Sequence, residues 1–232
     1  FATGRAFEQV RNSIAYPKLN VKIAATHAGI TVGEDGASHQ AVEDIALMRA
    51  VPNMTVLVPA DGEETRQAVF AAAQYEGPVY IRMGRLDVPC LFDQNYKFTI
   101  GKANVLREGS DCVIFANGVM VSTALEAAQE LEEEGLKVAV VNVASVKPLD
   151  EETIVAYAQK TGAVVTAEEH NIIGGLGSAV AEVLAEHCPT PMKRVGVKDT
   201  FGESGSVEEL MKKYGLTAQN IVQAVKEVVK MK

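Results

Sequence analysis

What this chain of 232 residues has little of narrows the field before any motif is read. Lys and Arg together number 22 against 30 Asp and Glu, a formal charge of −8. A clustered basic excess is what nucleic-acid phosphates require, so a nucleic-acid partner is not expected, and any phosphate must be met by individual side chains. Cysteine is scarce. Cys90, Cys112 and Cys188 lie far apart and form no C-x-x-C pair, which argues against a disulfide framework and a zinc knuckle and favours a reducing, cytoplasmic setting. No apolar run approaches the ~20 residues of a membrane-spanning helix, so no membrane partner is expected either. No charged-then-apolar leader is seen. The sequence opens at Phe1, already inside what reads as a helix over 4–15, and the expectation is a chain that enters its first domain part-way.

What is present suits a globular protein: 47% hydrophobic and 22% charged residues can bury a core. The length fits two domains of roughly 100 residues each. Apolar runs of strand length alternate with stretches of helical period. Strands are predicted over 19–25, 55–59 and 79–82, with helices over 39–51 and 62–75, the latter capped by Asp61. A less regular stretch with a short extended piece at 98–105 follows. Strands over 112–116, 137–142, 162–167 and 193–197 then alternate with helices over 121–134, 150–160, 177–187 and 217–229. This rhythm predicts two consecutive three-layer α/β domains with separate parallel sheets: 1–88, a linker over 89–108, and 109–232.

The densest cluster of chemistry runs from Thr26-His27 through Gly29, Gly33-Glu34-Asp35-Gly36 to Ser38-His39-Gln40. It follows a strand, where parallel sheets bind ligands. Its glycines allow sharp turns and close approach, and a helix expected to open near His39 would present free N–H groups to anionic oxygen. Imidazoles beside a carboxylate suit hydroxyl and carbonyl oxygens. The competing reading is a surface turn in which Ser38 caps the helix. His27, Asp35 and His39 are permissible metal ligands, but their spacing matches no standard metal helix and no metal is assigned. Arg82 and Arg85, at the end of the strand over 79–82, could grip a phosphate or form a surface ion pair; the residues alone leave both open. The segment Glu168-Glu169-His170 through Gly177 misses the dinucleotide G-x-G-x-x-G spacing, so a structural crossover or subunit contact is expected there. Asp199 to Gly205 is a polar turn without a nucleophile elbow, so Ser204 is not read as catalytic.

Taken together, Thr26-His27, Gly33-Glu34-Asp35-Gly36, Ser38-His39-Gln40, Pro52-Asn53-Met54, Gly77-Pro78 with Arg85, and Thr200-Phe201-Gly202-Glu203-Ser204 resemble the C-terminal part of the transketolase family of thiamine-diphosphate enzymes, in family order along nearly the whole chain. The resemblance is to a separate C-terminal subunit of a split transketolase: a partial pyrimidine-binding domain followed by the transketolase C-terminal domain. It implies that Phe1 packs on the cofactor's aminopyrimidine, that His39 and Asp35 serve catalysis at the sugar hydroxyls, and that His27 and Arg85 bind the sugar phosphate. It further implies transfer of a two-carbon unit between sugar phosphates, the exchange used in the pentose phosphate pathway. A G-I-A-E-Q-like stretch carrying the activating glutamate is absent, as is a G-D-G stretch for diphosphate and magnesium. The expectation is therefore a chain active only with an N-terminal transketolase subunit, which holds the diphosphate and Mg2+, in a homodimer or heterotetramer. Three rival readings share the fold. Deoxyxylulose-phosphate synthase tends to carry Arg at the position of His27 and lacks the acid at Glu34. The β subunit of a 2-oxoacid dehydrogenase has the same architecture but is disfavoured by the sugar-phosphate set of His27 and Arg85, and a non-catalytic assembly subunit is disfavoured by intact Asp35 and His39.

Overall fold

The computed structural model describes all 232 residues. The first unit contains three short parallel strands, β1 (Lys22–Ala25), β2 (Thr55–Leu57) and β3 (Val79–Arg82), with helices α1 (Asp44–Ala50) and α2 (Gly62–Gln74). The second contains β4 (Asn104–Arg107), β5 (Cys112–Ala116), α3 (Met120–Glu133), β6 (Val138–Asn142), β7 (Ser145–Lys147), α4 (Glu151–Thr161), β8 (Val164–Asn171), α5 (Leu176–His187), β9 (Met192–Val197), α6 (Val207–Lys213) and α7 (Ala218–Val229). β5, β6, β8 and β9 run parallel and β4 closes one edge antiparallel, in the order β4-β6-β5-β8-β9. The continuous apolar runs of β5 and β6 are buried throughout, as a sheet covered on both faces requires.

The two sheets are distinct, but the first takes one of its strands from the second unit. β7 leaves the second unit and pairs antiparallel with β2, Val56 opposite Lys147 and Leu57 opposite Ser145, giving the order β1-β3-β2-β7. Three strands would leave the edge of β2 with unpaired N–H and C=O groups, and the borrowed strand satisfies them. The segment expected to be a linker is also pinned. Asp61 caps α2 through Oδ1, accepting from Glu64 N at 2.8 Å, and its Oδ2 accepts from Leu91 N and Phe92 N at 2.7 and 2.9 Å. Buried Glu64 in turn accepts from Asn142 Nδ2 of β6 at 2.7 Å and from the Tyr96 hydroxyl at 2.6 Å.

Two predicted helices differ in extent. The first is a π-helix over Gln9–Ala15 preceded by turns. The second begins only at Asp44, five positions after His39. Gly33 and Gly36 both sit at positive φ, +77° and +74°, which breaks the chain into a 3-10 stretch over Ile30–Asp35 and an isolated turn in which His39 N and Gln40 N donate to Gly36 O. The expected helix N-terminus at His39 is therefore absent. α6 was not anticipated, although Ser206-x-x-Glu209 is a capping box: Glu209 N donates to Ser206 Oγ at 3.4 Å.

The core crosses the domain boundary. Ile30, Val42 and Ala60 of the first unit pack into the apolar cluster built by α3, α7 and the second sheet, while Val146 and Ala179 of the second unit join Ile45, Met48 and Tyr80 of the first. At the same seam Arg82 is 5% exposed and its Nε donates to Asp44 Oδ2 at 2.8 Å, where the Tyr80 hydroxyl also donates at 2.7 Å. Arg82 Nη2 donates to Ala41 O at 3.3 Å and Glu169 O at 2.9 Å. Burial by itself would push the Asp44 carboxyl up, but the guanidinium beside it, with His170 and the Tyr80 hydroxyl, holds it below the usual carboxylate range.

Arg82→Met should therefore leave a buried, unpaired carboxylate and cost about 3–5 kcal/mol at neutral pH, read from denaturant unfolding midpoints. The two proteins should also differ in pH dependence. In the wild type the depressed Asp44 pKa adds stability that is lost as pH falls through the carboxylate range, whereas in the variant burial outweighs the Tyr80 hydroxyl and His170 that remain, Asp44 binds a proton more readily folded than unfolded, and the deficit should shrink on acidification. A constant deficit between pH 7 and pH 4 would refute this account of the pair.

Candidate active site

β1 delivers His27 to the carboxyl edge of the first sheet. The residue takes φ +64°, an uncommon conformation for a side chain of its size, and its Nδ1 lies 2.9 Å from Thr26 Oγ1. The chain then runs beside the segment entering α1: Gly29 N donates to Ala41 O at 2.8 Å and Ala28 N to Met83 O at 3.3 Å. The two glycine breaks fold the rest of the loop back, so Phe1, His27, Asp35 and His39 all line one cleft of about 320 Å³, walled by small apolar residues such as Ala25 and Val32. All four polar or aromatic groups are exposed to it. Phe1 meets His39 edge-on, ring centroids 5.1 Å apart with an interplanar angle of 78°, and the Arg5 guanidinium stands 4.3 Å from the Phe1 ring centre. His39 Nδ1 lies 3.0 Å from Ser38 Oγ, so Ser38 supports the imidazole and caps no helix.

Arg85 is apart from this set. Its Nη1 donates to Val32 O at 2.6 Å and approaches Glu34 Oε2 at 3.5 Å, so it braces the outer side of the loop while staying partly exposed. Arg82 fulfils neither reading open from its sequence position, being neither a surface ion pair nor free for an anion; it is consumed in the buried contacts with Asp44, Ala41 and Glu169. No cluster of three or more His, Cys, Asp or Glu side chains is gathered to hold a metal ion.

The second domain grips the loop at several points. Gln40, 4% exposed, donates through Nε2 to Ile30 O, Gly33 O and Glu203 O at 3.3, 3.1 and 2.9 Å. The Gln40 amide occupies the place that a Cβ on Gly202 would need, and Ser204 Oγ fills that of Gly36. Thr31 N donates to the Glu169 carboxylate, and Gly29 lies so close across it that a Cβ there would overlap it. The stretch 168–177 is a crossover, as its spacing suggested. Glu168 accepts from Leu176 N and Gly177 N at 2.7 and 2.8 Å, and burial pushes its carboxyl up to about 7 despite those donors. His170 accepts from Ala46 N at 3.3 Å through Nε2 and burial pulls it down to about 4, so it serves the seam as a neutral ring. Gln40, Gly202 and Glu169 escaped the sequence reading as supports of the loop. Gln40 was visible only as the neighbour of His39, and nothing local links Glu169 to a loop more than a hundred residues earlier.

The partition of fold and site is that of a known class. Residues 1–89 match the transketolase pyrimidine-binding domain and residues 101–221 the transketolase C-terminal domain, so the chain belongs to the transketolase family. As a member, it is a subunit of transferase type, and the family uses thiamine diphosphate. Among solved structures it is similar to one described as a split gene transketolase, inactive β4 tetramer, at 59% identity and TM-score 0.95, covering all of this chain and 74% of that one. A 6-deoxy-6-sulfo-D-fructose transketolase subunit of Clostridium sp. strain MSTE9 is 49% identical over all of this chain and 72% of its own length. A 1-deoxy-D-xylulose-5-phosphate synthase of Heliobacterium modesticaldum is 40% identical over 97% of this chain but only 35% of its own length. No helix is long and apolar enough to cross a membrane.

Gly202→Ala should press a methyl group into the Gln40 amide and break its contacts with Gly33 O and Ile30 O, costing about 1–3 kcal/mol as overpacking does. Urea unfolding followed by circular dichroism measures this. An unchanged midpoint would mean that the turn after β9 does not clamp the loop.

Proposed function

We propose that this chain is the C-terminal subunit of a two-chain transketolase, which with an N-terminal partner moves a two-carbon ketol unit between sugar phosphates. The observation that carries the reading is the convergence of Phe1, His27, Asp35 and His39 on one cleft at the carboxyl edge of a parallel sheet. The cleft fits the ring end of thiamine diphosphate: an aromatic face 59% exposed, small apolar walls, and polar side chains along one side. Nothing in it suits a diphosphate with Mg2+, which we assign to the partner. When bound, the cofactor supplies a nucleophilic carbon and an electron sink.

This chain's own groups then have separable tasks. Phe1, held against His39 and under Arg5, offers its free face to the aminopyrimidine. His39, oriented by Ser38, donates to the oxygen that gains charge as the ketose carbonyl is attacked, the kind of preorganised donor that stabilises a transition state more than the ground state. Asp35 accepts from a sugar hydroxyl and fixes which carbon faces the cofactor. We assign the sugar phosphate to His27, exposed in the cleft, and to Arg85, which lies outside the cleft lining and is bonded to the loop through Nη1. The relatives named for 6-deoxy-6-sulfo-D-fructose and for apulose 4-phosphate indicate that the family accepts several sugars, so the class proposed is a ketose donor and an aldose phosphate acceptor. We infer a cytoplasmic homodimer or heterotetramer that includes the N-terminal partner, which the cleft needs because it lacks a diphosphate side.

His39→Ala should lower turnover of the two-subunit complex by at least ~10²-fold, the lower range for a lost donor or proton-transfer group, in an assay coupling xylulose and ribose phosphates. Normal turnover by that variant would remove His39 from the chemistry. The chain without its partner should bind thiamine diphosphate weakly by calorimetry. Tight binding by the lone chain would contradict the division of the cofactor site.

A further inference from the structure

We propose that Glu169 is a positioning residue for the transfer reaction, acting from the second domain on the loop that carries Asp35 and His39; this rests on the reading of that loop as part of the active site. Glu169 lies near the end of β8. In the sheet order β4-β6-β5-β8-β9, the chain passes from β5 to β6 on one side and reaches β8 on the other. The crevice outside the carboxyl ends of such a pair of strands is where open α/β sheets bind their ligands. Here the crevice is filled by the first domain. Gly118 N, just beyond β5, donates to Val58 O at 3.3 Å, and Ile30 and Val42 enter the apolar cluster beneath.

Three consecutive residues of the loop are seated there in three different ways. Gly29, at φ +89°, lays its bare Cα against the Glu169 carboxylate, Ile30 buries its side chain completely in the core of the second domain, and Thr31 N donates to Glu169 Oε1. Glu169 is 3% exposed and does not line the cleft, so it acts only through the loop. Its backbone carbonyl accepts from Arg82 Nη2 at 2.9 Å, which fixes the carboxylate's own base to β3. Burial raises the Glu169 carboxyl, and Arg82 and the Thr31 N–H oppose that rise by favouring the charged acceptor. The second domain thus treats the loop as its ligand. Asp35 and His39 follow this anchor by four and eight positions across two glycine breaks, so a shift at Thr31 passes directly to them, and displacements near 1 Å can cost ~10²-fold in rate.

The test uses the full chain in complex with its N-terminal partner and three substitutions, Glu169→Gln, Glu169→Asp and Glu169→Ala. Gln keeps an acceptor oxygen at the same reach, Asp withdraws it by one methylene while keeping the charge, and Ala removes it. Steady-state kinetics should give a kcat close to wild type for E169Q and ~10-fold or more below it for E169D and E169A, with KM moving less than kcat. Amide hydrogen exchange on the same proteins should rise over residues 29–39 in E169D and E169A alone. Equal losses in E169Q and E169A, or faster exchange spread across both domains, would reduce Glu169 to a structural residue and overturn the proposal. So would an unchanged kcat in E169D. If E169A does not fold, the E169D and E169Q pair decides. A wild-type complex with no transfer activity would defeat the functional reading instead, while the exchange comparison would still report whether Glu169 holds the loop.

Discussion

The Arg82 guanidinium is the contact on which the rest of the architecture depends. It sits at the end of β3, almost wholly out of water, and binds three acceptors on two stretches of chain: the Asp44 carboxylate on α1, the Ala41 carbonyl at the close of the loop that lines the cleft, and the Glu169 carbonyl on β8. A buried cation is tolerated only when nearly all of its donors are met, and the planar fork of arginine can meet acceptors in several directions at once where lysine cannot. Because two of the acceptors are backbone carbonyls, Arg82 specifies main-chain position as well as charge. Asp44 is held in the charged state by the same contact, and it fixes the hydroxyl of Tyr80, a residue that lines the cleft.

From this centre the two family domains read as one mechanical object. A strand is lent to the first sheet, core residues are exchanged in both directions, and Asp61 and Glu64 tie α2 to the connecting segment and to β6. Two independent domains would leave the loop over 27–40 as a free surface excursion, held only by its glycines. Instead it meets the buried side chains of Gln40 and Glu169, with Gly202 and Ser204 packed against it. A loop rich in glycine pays a large conformational entropy on ordering, and it is the second domain that supplies the contacts to offset it.

The alternation of strands and helices, the paired domains and the loop with its two imidazoles were legible because they rest on local signals: apolar period, helix caps and glycine placement. So was the grouping of His27, Asp35 and His39, since residues emerging from one strand end and one short loop have few places to go, whereas Phe1 was reached only through the family resemblance. What was not legible depended on distance in sequence. β7 is three residues long and reads as part of a turn, and only its partner β2 makes it a strand. The helix expected from His39 looked continuous because Val42, Ile45, Ala46 and Arg49 keep helical spacing. The spacing is genuine only from Asp44 onward, and Val42 is buried for a different reason, in the core of the other domain. Arg82 was ambiguous for the same cause, since its partners lie on two other stretches of chain, 41–44 and β8.

The same dependence bears on how an active site shared between chains can be built. Half a cofactor site presents polar groups that have no substrate to hold them until the partner arrives. If those groups relied on the partner for position as well, association would have to order the loop at the moment of binding, and affinity would fall by the cost of that ordering. Here the ordering is internal. The loop is docked in the crevice that an open α/β sheet ordinarily offers a small molecule, and its carboxylate and imidazole already face a formed cleft. The second domain therefore supports the cleft without presenting a single side chain to it. On the function proposed above, that support makes one half of a divided site rigid enough that the other half has only to dock.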